Sequence, residues 1–219
     1  MAVVTNVSAD HFGEYGIDDL AGLADVKLTV GGVVGTHGLL VLNADDPLLL
    51  RRAATLDRRI GWFALDDDHP HLHSHRSAGG LTCAVRDGRL QLHVGGVLHD
   101  LGAVAKMPIT LGGSARYNIA NAAAAALAAS AMGIAVARIG DVLKHFGAQP
   151  GDNPGRLQRW RYGDGPDVLQ VFLDYAHNPD GLRGLLQVAS GTRGTGRLGL
   201  ILGQAGNRED SDIRALAGV

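Results

Sequence analysis

The stretch Asp174-Tyr175-Ala176-His177-Asn178-Pro179-Asp180-Gly181-Leu182 directly follows an apolar run over residues 168–173. The apolar run predicts a strand, and the Asn-Pro pair predicts the start of a helix. A strand that leads into a helix N-terminus brings unsatisfied backbone N–H groups and the positive end of the helix dipole together. Such a turn favours an anionic ligand, and phosphate above all. In the alternative interpretation, Asp174 and Asn178 only cap the helix, which leaves His177 without a role.

The rest of the chain alternates apolar strands with helical patterns, which is typical of layered α/β structure. The predicted strands cover residues 2–7, 39–42, 60–65, 168–173 and 198–202, and the last two flank a helix. Helices are predicted over residues 18–34, 46–56, 114–132 and 136–146, and Asp18 and Asp46 suit helix starts. Asp-Gly and Gly-Gly pairs predict an antiparallel meander over residues 81–101. The breaker-rich residues 149–155 predict a linker, with a domain boundary near Pro154.

Composition excludes several classes of function. The chain has 219 residues, 46% hydrophobic content and a formal charge of -2, which suits one and a half to two domains with a sizeable core. Basic residues form no patch, so nucleic acid is not an expected partner. No apolar run is long enough for a membrane helix. Cys83, the only cysteine, is predicted to pack in a strand, and we expect a cytoplasmic protein. Oligomeric state does not follow from the sequence.

The Asp-Tyr-Ala-His-Asn-Pro-Asp string resembles the opening of the C-terminal domain in the Mur ligase family, the ATP-dependent amide-forming ligases. Five further blocks resemble the same family in the same order along the chain. In chain order, all of them before the string itself, they are Val4-Thr5-Asn6-Val7-Ser8-Ala9-Asp10-His11, Leu23-Ala24-Asp25-Val26-Lys27, Leu42-Asn43-Ala44-Asp45-Asp46-Pro47, Arg116-Tyr117-Asn118-Ile119-Ala120-Asn121-Ala122 and Pro154-Gly155-Arg156.

The resemblance implies an α/β fold in two parts. Residues 1–153 would be the remainder of a Mur-type central ATPase domain with an antiparallel meander, and residues 154–219 the start of a Rossmann-like C-terminal domain. The block Leu202-Gly203-Gln204-Ala205-Gly206-Asn207-Arg208-Glu209-Asp210-Ser211-Asp212-Ile213-Arg214 is similar to a segment of the cyanophycin-synthetase-like branch, although Asn207 replaces the usual aspartate.

Two residues of the first part are expected to hold Mg²⁺ by this resemblance. A neutral imidazole such as that of His11 can coordinate a metal through one nitrogen. Lys27 matches the lysine that the family carbamylates, and a carbamate offers the hard oxygen ligands that Mg²⁺ prefers. The alternatives are a histidine without a metal and a solvated helical lysine.

Asn118 and Asn121 lie three residues apart on one helix face, and each carboxamide offers a donor and an acceptor. By resemblance they contact the adenine of ATP, whereas helix capping is the alternative for Asn118. Arg156 can make bidentate contacts to phosphate or ribose. The resemblance makes Arg156, Asp174 and His177 nucleotide-binding residues, and a solvated linker residue is the alternative for Arg156.

The phosphate-binding string Gly-x-x-x-x-Gly-Lys-[Ser/Thr] of these ligases is absent from the sequence. The chain is therefore interpreted as a fragment of an ATP-dependent carboxylate-amine ligase that uses Mg²⁺, acts through an acyl phosphate, and takes a small-molecule carboxylate and an amine as substrates. The isolated chain is expected to be inactive. The alternative is a non-catalytic nucleotide-binding or interaction module on the same scaffold.

Two other polar groups are not expected to be catalytic, and ligand contact is the alternative to a structural role for the first of them. Asn43, Asp45 and Asp46 fit a strand-to-helix turn in which one residue caps the helix. His69, His71, His73 and His75 alternate, so in an extended segment all four would face one way and bind Ni²⁺ or Zn²⁺ adventitiously. A polar surface loop is the preferred interpretation of that segment.

Overall fold

The computed structural model describes residues 1–8, 16–165, 168–203 and 210–219. The chain divides into two compact units, Met1–His145 and Phe146–Val219. Its strands are β1 (Ala2–Val4), β2 (Leu40–Asn43), β3 (Ile60–Phe63), β4 (Leu81–Arg86), β5 (Arg89–Val94), β6 (Val97–Ala103), β7 (Gln158–Tyr162) and β8 (Leu169–Leu173). Its α-helices are α1 (Leu20–Leu28), α2 (Pro47–Ala53), α3 (Pro70–Ser77), α4 (Arg116–Ala131), α5 (Val136–Leu143), α6 (Pro179–Thr192) and α7 (Asp210–Ala217).

The first unit is built on a six-stranded sheet in the sequential order β1-β2-β3-β4-β5-β6. The first four strands are parallel, and β5 and β6 continue the sheet antiparallel. The carboxyl ends of β1 to β4 therefore lie at one edge, which is where open α/β sheets bind ligands. The two hairpins turn at Asp87-Gly88 and Gly95-Gly96, and all four residues have positive φ, which confirms the predicted meander.

Alternating side chains send this sheet's apolar residues into two separate cores. Leu40, Leu42 and Trp62 face α1, α2 and α3, and they pack with the buried Leu49 and Leu72. The opposite face carries buried side chains that pack against α4 and α5, including Val41, Phe63, Cys83, Leu92, Leu127 and Ile139. Burying each large aliphatic or aromatic side chain stabilises the fold by about 1.5–3 kcal/mol. Cys83 is fully buried, so the prediction that it packs in a strand is confirmed.

The alanine-rich helix α4 can pack close to the sheet because the side chains that it buries there are small. Ala122, Ala123 and Ala126 are almost completely buried. Such side chains bring a helix backbone near the sheet while losing little side-chain entropy. The helix runs over sixteen residues, close to the predicted range.

The second unit contains the antiparallel pair β7–β8 and the helices α6 and α7. Asn178 caps α6 by accepting a hydrogen bond from the backbone N–H of Gly181 at 2.8 Å, and Pro179 occupies the first turn. This strand-turn-helix arrangement was predicted. One face of the β-pair is open to solvent: Tyr162, Leu169 and Leu173 are 57%, 58% and 52% exposed.

Several sequence-based boundaries are wrong, for identifiable reasons. The helix predicted over residues 18–34 ends at Leu28 and continues as the 3₁₀ segment Thr29–Val33, which contains two glycines. Its cap is Asp19 rather than Asp18. Residues 198–202 are described but form no strand, because no neighbouring strand among the described residues pairs with their backbone. Strand β7, which the sequence analysis did not predict, pairs with β8 instead.

The histidine-rich segment is a helix, not the predicted polar loop. Pro70 starts α3 with a fixed φ, and the ring nitrogen Nδ1 of His69 accepts a hydrogen bond from the backbone N–H of His71 at 3.2 Å. The side chains therefore follow a helical period, and the four histidines do not share one face. Leu72 anchors the helix in the core.

Candidate functional site

The carboxyl end of β1 lies beside helices α1 and α2. The Lys27 ammonium, in the last turn of α1, donates a hydrogen bond to the backbone carbonyl of Asn6 at 3.2 Å. The predicted metal ligand His11 lies outside the described residues, as does Asn207. Lys27 is half-buried. The side-chain nitrogen of Lys27 is thus held at the segment that leads to His11, which is where the sequence analysis expects a metal-binding group.

The Asp46 carboxylate connects the segment after β1 to the start of α2 by hydrogen bonds. Its Oδ1 accepts hydrogen bonds from the backbone N–H groups of Leu48 and Leu49 at 2.8 and 3.2 Å, so Asp46 is the predicted cap of α2. Its Oδ2 accepts from the backbone N–H of Val7 at 2.6 Å. Asp45 likewise accepts from the backbone N–H of Leu65 at 2.7 Å. These bonds confirm the structural interpretation of the block and fix the loop after β1 relative to α2.

The α3 region forms an ion-pair cluster around one carboxylate. Asp67 is 1% exposed, forms a short hydrogen-bonded ion pair with Arg76, and lies 3.6 Å from the guanidinium of Arg86. His93 Nε2 lies 3.8 Å from Asp67 Oδ1. The positive charges of Arg76 and Arg86 offset the negative charge of the Asp67 carboxylate. This carboxylate is therefore a poor ligand for a metal cation.

The histidines of α3 make contacts within the protein. His75 Nε2 donates to the carbonyl of Ile60 at 3.0 Å, and His71 packs edge-on against Trp62 with ring centroids 4.6 Å apart. Burial lowers the pKa of both imidazoles, and neighbouring histidines lower that of His71 further. Within the part of the chain that the structure describes, no group of three or more histidine, cysteine, aspartate or glutamate residues is arranged to hold a metal ion.

Asn118 and Asn121 lie together on α4, but they differ in what they can bind. Asn118 is 5% exposed, and its Nδ2 donates to the carbonyl of Ile109 at 2.9 Å. Asn121 is exposed and donates through Nδ2 to Asn118 Oδ1 at 3.4 Å. The helix begins at Arg116 without a side-chain cap, so the alternative interpretation of Asn118 as a cap is wrong. Asn118 anchors the helix, and Asn121 presents the accessible carboxamide.

In the second unit, the end of β8 and the turn before β7 are joined by one hydrogen bond to the Asp174 carboxylate and one between backbone groups. Asp174 Oδ2 accepts from the N–H of Leu157 at 2.6 Å, and its Oδ1 accepts from the N–H of Ala176 at 2.9 Å. The N–H of Tyr175 donates to the carbonyl of Gly155 at 3.0 Å. Asp174 therefore does not cap α6, and the capping alternative holds only for Asn178.

Arg156, Tyr175 and His177 gather at this junction, near the start of α6. The exposed guanidinium of Arg156 lies 5.1 Å from the centre of the Tyr175 ring, a cation–π contact. The Tyr175 and His177 rings are 4.9 Å apart, and the Nδ1–H of His177 donates to the carbonyl of Tyr175 at 3.3 Å. The second unit thus brings together its three predicted residues, Arg156, Asp174 and His177, and adds Tyr175, which the sequence analysis missed. The aromatic residue inside the quoted motif was the signal available for it.

Each unit, taken by itself, presents groups suited to binding one part of a ligand. Asn121 offers an exposed carboxamide with a donor and an acceptor. Arg156 offers a guanidinium fork that fits phosphate oxygens or vicinal hydroxyls, on the same unit as the N-terminus of α6, where the helix dipole is positive. None of the helices in the described ranges is long and apolar enough to cross a membrane.

Comparisons with known sequences cover both units. The Mur ligase middle domain matches residues 1–129, and the Mur ligase glutamate ligase domain matches residues 155–219. Cyanophycin synthetase from Crocosphaera subtropica is 33% identical over 213 residues, which cover 97% of this chain and 24% of that protein. UDP-N-acetylmuramoyl-L-alanyl-D-glutamate–2,6-diaminopimelate ligase from Gloeobacter violaceus is 32% identical over 208 residues, covering 95% and 38%. The chain spans about a quarter of the cyanophycin synthetase relatives that it matches.

Solved structures give the same fold. A crystal structure of MurF from Acinetobacter baumannii aligns with a TM-score of 0.54 at 21% identity, over 85% of this chain and 36% of that one. A second crystal structure of the same protein aligns with a TM-score of 0.52. The predicted α/β fold is therefore confirmed, together with the resemblance to the cyanophycin-synthetase-like branch. The chain belongs to the Mur ligase family, and it carries parts of that family's middle and C-terminal domains.

Proposed function

We propose that this chain is part of an ATP-dependent ligase that joins a small-molecule carboxylate to an amine. The support is the family membership of both units, together with the exposed fork of Arg156 beside the start of α6. In the proposed reaction, the terminal phosphoryl group of ATP moves to a carboxylate oxygen and ADP leaves. The amine nitrogen then attacks the acyl phosphate, and inorganic phosphate leaves as the amide forms. We place the reaction in the cytoplasm.

Each unit, taken by itself, offers its own proposed nucleotide contacts. The carboxamide of Asn121 donates and accepts hydrogen bonds at the edge of the adenine ring. Asn118 fixes the position of helix α4, which carries Asn121. Arg156 contacts phosphate or ribose oxygens, supported by Asp174 and His177 in the same junction. We propose residues 1–153 and 154–219 as the two domain portions that carry these groups.

We further propose that His11 and a carbamylated Lys27 hold Mg²⁺, which would neutralise phosphate charge when bound. Lys27 fits this role in position, because its nitrogen lies at the segment that follows β1. As an ammonium it is a hydrogen-bond donor to Asn6, and only carbamylation gives it oxygen ligands. On this 219-residue chain we expect Lys27 to be unmodified or only partly carbamylated.

The sequence lacks a phosphate-loop string, so the chain alone should not turn over ATP and should bind nucleotides through adenine and Arg156 contacts only. We expect AMP to bind with millimolar affinity, on the order of -4 kcal/mol. ATP should gain little over AMP.

Titration of the chain with AMP and ATP, followed by NMR or calorimetry, tests this proposal. Asn121→Ala and Arg156→Ala should each weaken AMP binding, whereas Ser130→Ala on the same helix and Arg161→Ala on β7 serve as matched controls without effect. Micromolar ATP binding, or a weak nucleotide signal that is indifferent to Asn121→Ala, would contradict the proposed adenine site.

A further inference from the structure

The turn that carries Arg156 has a constrained backbone on both sides. Before Arg156, the carbonyl of Gly155 accepts a hydrogen bond from the N–H of Tyr175 at 3.0 Å. After it, the N–H of Leu157 donates to Asp174 Oδ2 at 2.6 Å. Two consecutive residues at the end of β8 thus bond to the two residues that flank Arg156.

Leu157 adds a conformational constraint to the same turn. Its φ is 52°, in the left-handed region that a leucine rarely adopts. This conformation is unfavourable for a residue with a side chain, so other contacts must hold it. Leu157 is 8% exposed, and its side-chain burial together with the bond to Asp174 supplies those contacts. The chain direction immediately after Arg156 is therefore fixed.

The side chain of Arg156 is held by a different interaction. Its guanidinium carbon lies 5.1 Å from the centre of the Tyr175 ring, while Arg156 itself is exposed. A guanidinium held over an aromatic face by a cation–π contact still has N–H groups that point away from the ring and are available to a ligand. Holding a long flexible side chain in one orientation before binding reduces the entropy that binding costs.

We propose that Tyr175 is a positioning residue for Arg156, and that Asp174 acts on the same arginine by clamping its turn through Leu157. The inference rests on the proposed nucleotide contact of Arg156. In this arrangement, the carboxylate of Asp174 accepts hydrogen bonds from backbone N–H groups of its own chain, and this is its main role. Tyr175 orients the guanidinium fork and does not itself contact the nucleotide.

Tyr175 allows a clean test, because the ring is 51% exposed and its replacement removes no core side chain. Tyr175→Phe keeps the aromatic face, and Tyr175→Leu removes it. The first readout needs no nucleotide: the ring current of Tyr175 shifts the NMR signal of the Arg156 Nε–Hε group, which Arg156→Lys assigns by its disappearance. The second readout is AMP affinity of the full chain.

The parent and Tyr175→Phe should share a ring-shifted Arg156 signal, and Tyr175→Leu should move it to the position of a solvated arginine. AMP affinity should fall about fivefold in Tyr175→Leu, which is about 1 kcal/mol, and stay within about twofold in Tyr175→Phe. An Arg156 signal unchanged in Tyr175→Leu overturns the inference.

The two proposals fail in different ways. If Arg156→Ala leaves AMP affinity unchanged, the nucleotide contact of Arg156 is wrong, and the NMR shift still decides whether Tyr175 positions the side chain. If Arg156→Ala weakens AMP binding but Tyr175→Leu does not, the positioning role is wrong and the nucleotide contact stands.

Discussion

Asp46 and Val7 are 39 residues apart in sequence, yet the Asp46 carboxylate accepts a 2.6 Å hydrogen bond from the Val7 backbone N–H. The same carboxylate caps α2. One side chain therefore fixes both the helix and the loop that leaves β1 towards the predicted metal ligand.

Replacing Asp46 should be costly. Asp46→Ala removes a helix cap, worth about 1 kcal/mol, and leaves a part-buried N–H without its acceptor, at about 1–3 kcal/mol. We expect the free energy of unfolding to fall by about 3 kcal/mol in urea denaturation. The exposed Asp57→Ala should change it by less than about 0.5 kcal/mol. Equal effects of the two variants would contradict the tethering role.

Asp67 should be a second sensitive carboxylate, in a run of three aspartates. Asp67→Ala leaves Arg76, whose side chain is 14% exposed, without its ion-pair partner. Breaking a buried pair in this way costs about 3–5 kcal/mol. Asp68→Ala, next to it but 66% exposed in its side chain, should cost less than about 1 kcal/mol. Thermal or urea denaturation of the two variants measures the difference, and similar losses would exclude a special role for Asp67.

Stability should decrease as the pH falls below about 6.5. Burial lowers the pKa of His71, His75 and His93 in the folded chain, and the neighbouring Arg76 lowers that of His93 further. The unfolded chain thus binds more protons than the folded chain in this pH range. The stability that the three neutral histidines contribute is therefore fully present above the unfolded pKa and is lost as the pH decreases. Unfolding titrations between about pH 7.5 and about pH 5.5 measure the slope.

A histidine variant identifies the source of this slope. His93→Gln should make the free energy of unfolding less dependent on pH, because the variant lacks one group that takes up a proton when the chain unfolds. His37→Gln, at an exposed position, is the matched control for the substitution itself. A slope that His93→Gln does not alter would assign the pH dependence to other groups.

Cys83 should be unreactive in the folded chain. Burial raises the pKa of the thiol, and the nearby Asp67 carboxylate raises it further. The thiolate is the nucleophile, so a thiol reagent such as Ellman's should label the native chain only as fast as it unfolds. In denaturant, the single thiol should react completely. Rapid labelling without denaturant would show that the strand β4 opens locally.

Much of the first unit follows from the sequence because its signals are local. The Asp-Gly and Gly-Gly pairs set the hairpins, and Asp46 before Pro47 sets the start of α2. The helix α3 was missed because only Leu72 of its residues is buried, and because histidine is an uncommon cap. Asp67 was not singled out for a similar reason: its burial depends on Arg76 and Arg86, which no local pattern reveals.

The candidate site follows from the sequence only in its residue types. Asn118 and Asn121 share a helix face as predicted, but which of them is accessible depends on the contact with Ile109. Arg156 and Asp174 were paired as nucleotide ligands, whereas their connection through Leu157 depends on strand β7, which was not predicted. Sequence motifs therefore predict the residue types of the site, but not the contacts that depend on pairing between distant segments of the backbone.

The open face of the β7–β8 pair has a practical consequence for biophysical work on this chain. Tyr162, Leu169 and Leu173 are exposed in the native state, so we expect environment-sensitive dyes such as ANS to bind there. Dye fluorescence, commonly used to detect molten states, will therefore already be present before any unfolding. Trp62, buried at 3% exposure inside the first unit, gives an optical signal of lost tertiary packing there, to which the second tryptophan, Trp160 on β7, adds its own.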